Sequence, residues 1–173
     1  MKTIKHTIIL IAFFASNTFA QNGKFDKIDA ITANQVNTLI NSYYAIKDAL
    51  VATDGSKASI EAKNFLAKLD VIDQSKMTTE QKFFFKPLNE RMSSDAKHIS
   101  ENKDPEHQRE HFRELSTNMV SLIKAFGNTE DSFVQYCPMV KKSWLSNNKA
   151  IKNPYYGNKM LNCGKVTEII SKK

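Results

Sequence analysis

Over most of the chain, apolar side chains recur at steps of three and four residues, and this spacing predicts amphipathic α-helices. The first helix is predicted over residues 31–53 and the second over residues 57–69. The third begins near Thr78, and the fourth spans residues 105–126, between an Asp-Pro start and a Gly stop. Pro87 falls inside the third pattern, so that helix either begins after Pro87 or bends there. Four helices joined by short connections are typical of an antiparallel bundle, so the predicted fold class is all-α.

After the fourth helix the chain loses the helical repeat, and it does not gain the two-residue alternation that is typical of a strand. We therefore predict an irregular C-terminal segment packed against the bundle. This segment would contain one short helical piece near residues 142–148 and another over residues 166–171.

Residues 1–20 have the features of a secretory signal peptide. Lys2 and Lys5 precede an uncharged apolar run, and small residues, Thr18 and Ala20, stand at the two positions that a signal peptidase reads. The apolar run is too short to span a bilayer core of about 30 Å. We predict cleavage after Ala20 and a periplasmic protein that has no membrane span after cleavage.

Beyond the predicted cleavage site we expect a flexible arm over residues 21–30 and one helical domain over residues 31–173. Removal of Lys2 and Lys5 lowers the formal net charge from +7 to +5, because residues 1–20 contain no acidic residue. The remaining basic residues are scattered along the chain, and this distribution predicts no nucleic-acid partner. The sequence has no nucleophile elbow, phosphate loop or haem-attachment motif, so we predict no enzymatic activity.

Residues 137–164, which we call the signature segment, hold both cysteines and the only tryptophan. Cys137 and Met139 are two residues apart, so in an extended backbone their side chains point the same way. Met160 and Cys163 are three residues apart, and one helical turn would place them on one face. Thiolates and thioethers are soft ligands that favour Cu(I) over hard cations. These four residues are therefore the predicted metal ligands.

The alternative to metal binding by the two cysteines is a disulfide between them. In an oxidising compartment Cys137 and Cys163 can form a disulfide. Closing this loop of about 27 residues would contribute roughly 3.5 kcal/mol through loop entropy. The two states exclude each other at any instant, because a metal needs the thiolate form. The sequence leaves both open.

Other residues of the signature segment are predicted to shape the site. Trp144 and Tyr155 either line the metal and exclude water, or pack the segment against the bundle. Asn153, Pro154 and Gly157 are typical of a turn.

Three histidines lie in the third and fourth helices. His107 and His111 are four residues apart, a spacing that can hold one metal ion, but such a pair normally needs a third ligand. His98 flanks the apolar face of the third helix. The pattern favours solvated or interface histidines over ligands, and His111 is retained as an additional ligand of the predicted metal site.

The chain resembles a bacterial family of small exported proteins that share a domain of unknown function. The motifs that carry the resemblance are Cys137-Pro138-Met139, Trp144-Leu145-Ser146, Asn153-Pro154-Tyr155-Tyr156-Gly157 and Met160-Leu161-Asn162-Cys163-Gly164, with Tyr44 to Val51 and Gln108 to Phe112 upstream. Members of that family also occur attached to periplasmic adaptor subunits of copper and silver efflux systems. The resemblance implies heavy-metal handling with Cu(I) or Ag(I), and an envelope efflux adaptor as a partner. The alternative is a disulfide-stapled helical interaction module without a metal.

Overall fold

Four α-helices form most of the computed structural model, which describes residues 25–173. They are α1 (Ala30–Val51), α2 (Gly55–Asp70), α3 (Thr79–Glu101) and α4 (Pro105–Phe126). All four predicted helices are confirmed. The predicted signal peptide and residues 21–24 of the predicted arm lie outside the described residues.

Each helix begins at a residue that the sequence marks as a cap. The four N-cap side chains accept hydrogen bonds from backbone N–H groups of the first turn, and they belong to Asp29, Asp54, Thr78 and Asp104. At Thr78 the cap is reciprocal, because the Gln81 side chain accepts a hydrogen bond from the Thr78 N–H at 3.0 Å. Pro87 lies inside α3, so the helix begins before this proline rather than after it.

The C-terminal part contains a three-stranded antiparallel sheet, so the all-α prediction was wrong for this region. The strands are β1 (Ser132–Cys137), β2 (Lys142–Ser146) and β3 (Lys165–Ile170), in the spatial order β2-β1-β3. The residues predicted as two short helical pieces form β2 and β3 instead. The protein is therefore mostly helical, but it is not purely α-helical.

Burial of the central strand explains why the sheet is not visible in the sequence. The successive residues Val134 and Gln135 of β1 are both buried, although neighbouring side chains of a strand point to opposite faces. A strand covered on both faces shows no alternation of apolar and polar residues. At the edge of the sheet, β3 is exposed along most of its length and has no buried face that would produce a pattern.

The described part of the predicted arm packs against the helices. The ring of Phe25 lies edge-on to Phe126 and Phe84, with centroid distances of 5.1 and 5.7 Å. Its backbone N–H donates to the Ala125 carbonyl at 2.8 Å. Within residues 25–173, no helix combines the length and the apolar character needed to cross a bilayer.

Candidate functional site

The fold brings the two cysteines to one end of the sheet. Cys137 is the last residue of β1 and is fully buried, whereas Cys163 precedes β3 and is half-buried. Tyr136 of β1 pairs with Lys165 of β3. Because the two strands are antiparallel, Cys137, which follows Tyr136, lies near the residues that precede Lys165, and Cys163 is one of these. Both side chains are free thiols in this structure.

The two thiols are close enough to influence each other's protonation. Partial burial raises the pKa of the Cys163 thiol, because it disfavours the charged thiolate. The neighbouring Cys137 raises this pKa further, by charge repulsion and through a hydrogen bond between the two side chains. A ligand that binds Cys163 as a thiolate must therefore displace a firmly held proton.

A single buried amide holds both cysteines. The Asn153 side-chain nitrogen donates to the Cys137 sulfur at 3.2 Å and to the Cys163 carbonyl at 2.7 Å. The Asn153 side-chain oxygen accepts from the Tyr155 N–H at 2.8 Å. Asn153 is 0% exposed, so these bonds face no competition from water. The predicted turn residue thus also holds the Cys137 thiol and the backbone of Cys163.

The two predicted thioether ligands occupy different environments. Met139 lies in the turn between β1 and β2 and is 59% exposed. Met160 is half-buried, and its carbonyl accepts a hydrogen bond from the Cys163 N–H at 3.0 Å. The structure thus brings the thiols together and places Met139 at the surface. Methionine is unbranched and can reorient easily, so each thioether remains a candidate to complete the site.

Trp144 and Tyr155 join the signature segment to the helices. Both are fully buried, and their rings meet edge to face with centroids 5.6 Å apart. Tyr155 also packs on Phe112 of α4 and donates its hydroxyl hydrogen to the Ser143 carbonyl at 2.6 Å. A side chain at Gly164 would come within 2.9 Å of the Trp144 ring. The aromatic pair therefore packs the segment and also borders the backbone beside the thiols.

A buried arginine, which sequence reasoning did not single out as a site residue, ties the signature segment to the bundle. The Arg109 side chain, on α4, is 1% exposed. Its guanidinium donates to the Pro154 carbonyl at 3.0 Å, to the Leu50 carbonyl at 3.0 Å and to the Thr53 hydroxyl at 2.9 Å. The fork of donors on arginine suits such a multiple contact. Arg109 thus connects three separate stretches of chain.

A family model described as "Protein of unknown function (DUF3347)" matches residues 39–131, which is more than half of the chain. The chain belongs to the DUF3347 family. No match was found among curated proteins or among solved structures. The family description names no activity, and the matched residues end before the signature segment of this DUF3347 chain.

Charge distinguishes the signature segment from the rest of this DUF3347 chain. The segment contains five lysines and no aspartate or glutamate. It therefore lacks the carboxylate ligands that Ca²⁺ and Mg²⁺ prefer.

His111, the predicted additional ligand, is half-buried on α4. Its Nδ1 lies 3.4 Å from the Asp95 carboxylate of α3, and its ring is close to those of His98 and His107. In this DUF3347 chain His111 therefore groups with other histidines.

Gly157 makes a close contact that only glycine permits. Its φ is +54°, and a side chain there would meet the Thr53 hydroxyl and the Arg109 guanidinium. Gly157→Ala is expected to lower the free energy of unfolding by about 1–3 kcal/mol, through backbone strain and displacement of Arg109. Chemical denaturation measures this loss. The exposed neighbour Asn158→Ala is the control and should change stability by no more than about 0.5 kcal/mol. An equal, small effect of both variants would contradict the tight contact.

Proposed function

We propose that this chain binds a soft monovalent metal ion, Cu(I) or Ag(I), through the thiolates of Cys137 and Cys163. The observation that carries the proposal is the convergence of both cysteines on the buried amide of Asn153. Two thiolates are a suitable ligand set for such an ion. Met139 and Met160, each within three residues of a cysteine, supply thioethers that complete the set.

The surroundings favour a soft ion over the commoner hard cations. The signature segment has no carboxylate of its own, so it lacks the oxygen ligands that hard divalent cations prefer. A soft ion displaces the proton of Cys163 more readily than a hard ion does, since its bond to sulfur is stronger.

The proposed role is handling of heavy metals in the cell envelope. The signal-peptide features of residues 1–20 and the resemblance to domains attached to efflux adaptors support this setting. The exposed thioether of Met139 gives an arriving ion its first ligand at the surface, and the half-buried Cys163 gives the next. The ion would thus move from a weaker thioether ligand to a stronger thiolate ligand. Such a series of ligands suits an ion that is passed on to an efflux adaptor rather than stored permanently.

The same proximity of the thiols supports a second candidate function. In this alternative Cys137 and Cys163 form a permanent disulfide in a helical interaction module that holds no metal. Full burial of Cys137 favours it, because a buried sulfur exchanges slowly with thiols in solution. The oxidation state of the isolated protein separates the two candidates.

The test is a Cu(I) competition titration on anaerobically reduced protein, with a thiol count on the protein as isolated. We expect one Cu(I) per chain, held against a strong chelator, and free thiols on isolation. Cys137→Ser with Cys163→Ser should lower the affinity at least a thousandfold, because both thiolates are lost. No binding, together with oxidised thiols on isolation, would favour the disulfide module instead.

Matched methionine variants test the thioethers. Met139→Leu and Met160→Leu should each weaken Cu(I) binding about tenfold, since leucine has a similar volume but no sulfur. Met77→Leu is the control, because Met77 is a buried core methionine that lies outside the signature segment in sequence. Equal affinity in all three variants would limit the ligands to the cysteines.

A further inference from the structure

We propose that His98, His107 and His111 form a second metal site, which takes a borderline divalent transition-metal ion such as Zn²⁺. Each histidine offers one ring nitrogen, and these three atoms all lie within 4.8 Å of one another. Imidazole nitrogen suits Zn²⁺, Cu²⁺ and Ni²⁺, whereas thiolates and thioethers suit Cu(I). The site therefore differs from the proposed cysteine site in ligands, in ion class and in position.

The fold brings the three histidines together through the tight connection between α3 and α4. His98 lies in the last turn of α3, and His107 and His111 lie in the first two turns of α4. Gln108, beside His107, is fully buried, and its amide donates to the carbonyls of Asn102 and Ile99 at 2.6 and 3.1 Å. These bonds fix the start of α4 against the end of α3. The backbone that carries the ligands is thus rigid before any ion arrives.

Rotation of the rings about their side-chain bonds would bring their nitrogens together into a coordination sphere. The His98 and His111 rings stack with centroids 4.2 Å apart and planes inclined by 5°, and His107 lies 4.9 Å from His111. Ligand atoms around a tetrahedral Zn²⁺ are about 3.4 Å apart, given Zn–N bonds of about 2.0–2.1 Å. His98 is exposed and the other two are half-buried, so their side chains have room to close this gap.

A carboxylate on α3 supports this assignment independently. Asp95 Oδ1 lies 3.4 Å from His111 Nδ1, and the Asp95 side chain is only 15% exposed. In the tautomer with its hydrogen on Nδ1, His111 donates to Asp95 and leaves Nε2 free for a metal. This pairing of carboxylate, histidine and metal is how proteins commonly orient an imidazole ligand.

The site is open to solvent on the side of His98, which gives an ion a route of entry. Three imidazoles leave one position of a tetrahedral ion for water or for an external ligand. The Asp95 carboxylate beside His111 offsets part of the charge of the ion. Three nitrogen ligands would bind Ca²⁺ and Mg²⁺ poorly, because both require oxygen.

The experiment is a calorimetric titration of the full chain with Zn²⁺, in the Cys137→Ser, Cys163→Ser background so that no thiol contributes. We expect one Zn²⁺ per chain. His98→Gln or His107→Gln should lower the affinity at least tenfold, and Asp95→Asn about tenfold by loosening His111. Lys97→Gln, next to His98 on the solvent side, is the control and should bind as the parent does. Unchanged affinity in the histidine variants would overturn the site.

A second measurement uses the chain with its cysteines intact. Long-range ¹H–¹⁵N spectra of the imidazole rings should show shifts at all three histidines on addition of Zn²⁺. In His98→Gln the shifts at the other two should require at least tenfold more Zn²⁺. Zn²⁺ binding without these shifts would overturn the proposal. Because neither experiment depends on Cu(I), failure of the cysteine site and failure of the histidine site give different results.

Discussion

Arg109→Met is expected to lower the free energy of unfolding by about 3–5 kcal/mol, because two buried carbonyls lose their donor. Those carbonyls belong to Leu50 and Pro154, and the Thr53 hydroxyl loses the same partner. Each unsatisfied buried polar group costs about 1–3 kcal/mol. Methionine fills much of the volume of the arginine stem, so the loss reports the hydrogen bonds rather than a cavity. Urea denaturation followed by circular dichroism measures it.

Two companion variants make this result specific. Arg109→Lys keeps the charge but lacks the planar fork of donors. It should therefore recover less than half of the unfolding free energy that Arg109→Met loses. Arg91→Met, at an exposed arginine on α3, should change stability by no more than about 0.5 kcal/mol. If Arg109→Met were as mild as Arg91→Met, the contacts of Arg109 would not hold the signature segment to the helices.

This arginine lies inside the residues matched by the DUF3347 family model, whereas its acceptor Pro154 lies outside them. The helical part and the signature segment are therefore parts of one cooperative unit. The packing of α4 against the signature segment supports the same view, because Phe112 meets Tyr155, and Glu114 pairs with Lys142 at 2.8 Å. A variant in the helices can thus alter the thiols without touching them.

The four helices could be predicted because their information is local. Capping residues such as Asp104, and apolar steps of three and four residues, determine a helix through contacts within one or two turns. The sheet could not be predicted, because it depends on pairing between separate segments of the chain. Gln135 of β1 is fully buried, and its amide donates to the Asn148 carbonyl. A search for buried strands by their apolar residues does not find a strand whose buried positions include a polar one.

The candidate sites, like the fold, could be predicted from the sequence only in part. Grouping of the cysteines in sequence was enough to predict that the thiols belong together, but the amide that orients them was predicted only as a turn residue. The sequence pattern favoured solvated or interface roles for the three histidines, and it did not group His98 with His107 and His111 because His98 lies on another helix. The short connection over residues 102–104 was the available clue. It forces α3 and α4 to pack antiparallel, and residues at similar distances from the turn then face each other.

Asn153→Ala should weaken Cu(I) binding about 10- to 100-fold, the range typical of residues that orient metal ligands. It should also lower the free energy of unfolding by about 3–5 kcal/mol, since the buried Tyr155 N–H and Cys163 carbonyl both lose their partner. The measurements are the Cu(I) competition titration and urea denaturation, both on reduced protein. Asn162→Ala, at the exposed residue before Cys163, is the control and should leave both quantities unchanged.

The two readouts separate orientation of the thiols from support of the fold. The Asn153 amide fixes the Cys137 sulfur and the Cys163 backbone before an ion arrives, so its removal adds an ordering cost to binding that the control does not show. A variant that lost stability but kept its Cu(I) affinity would mean that the thiols find their geometry without this amide. The convergence of Cys137 and Cys163 on Asn153 would then no longer be an argument for a metal site, and it would fit a structural disulfide better.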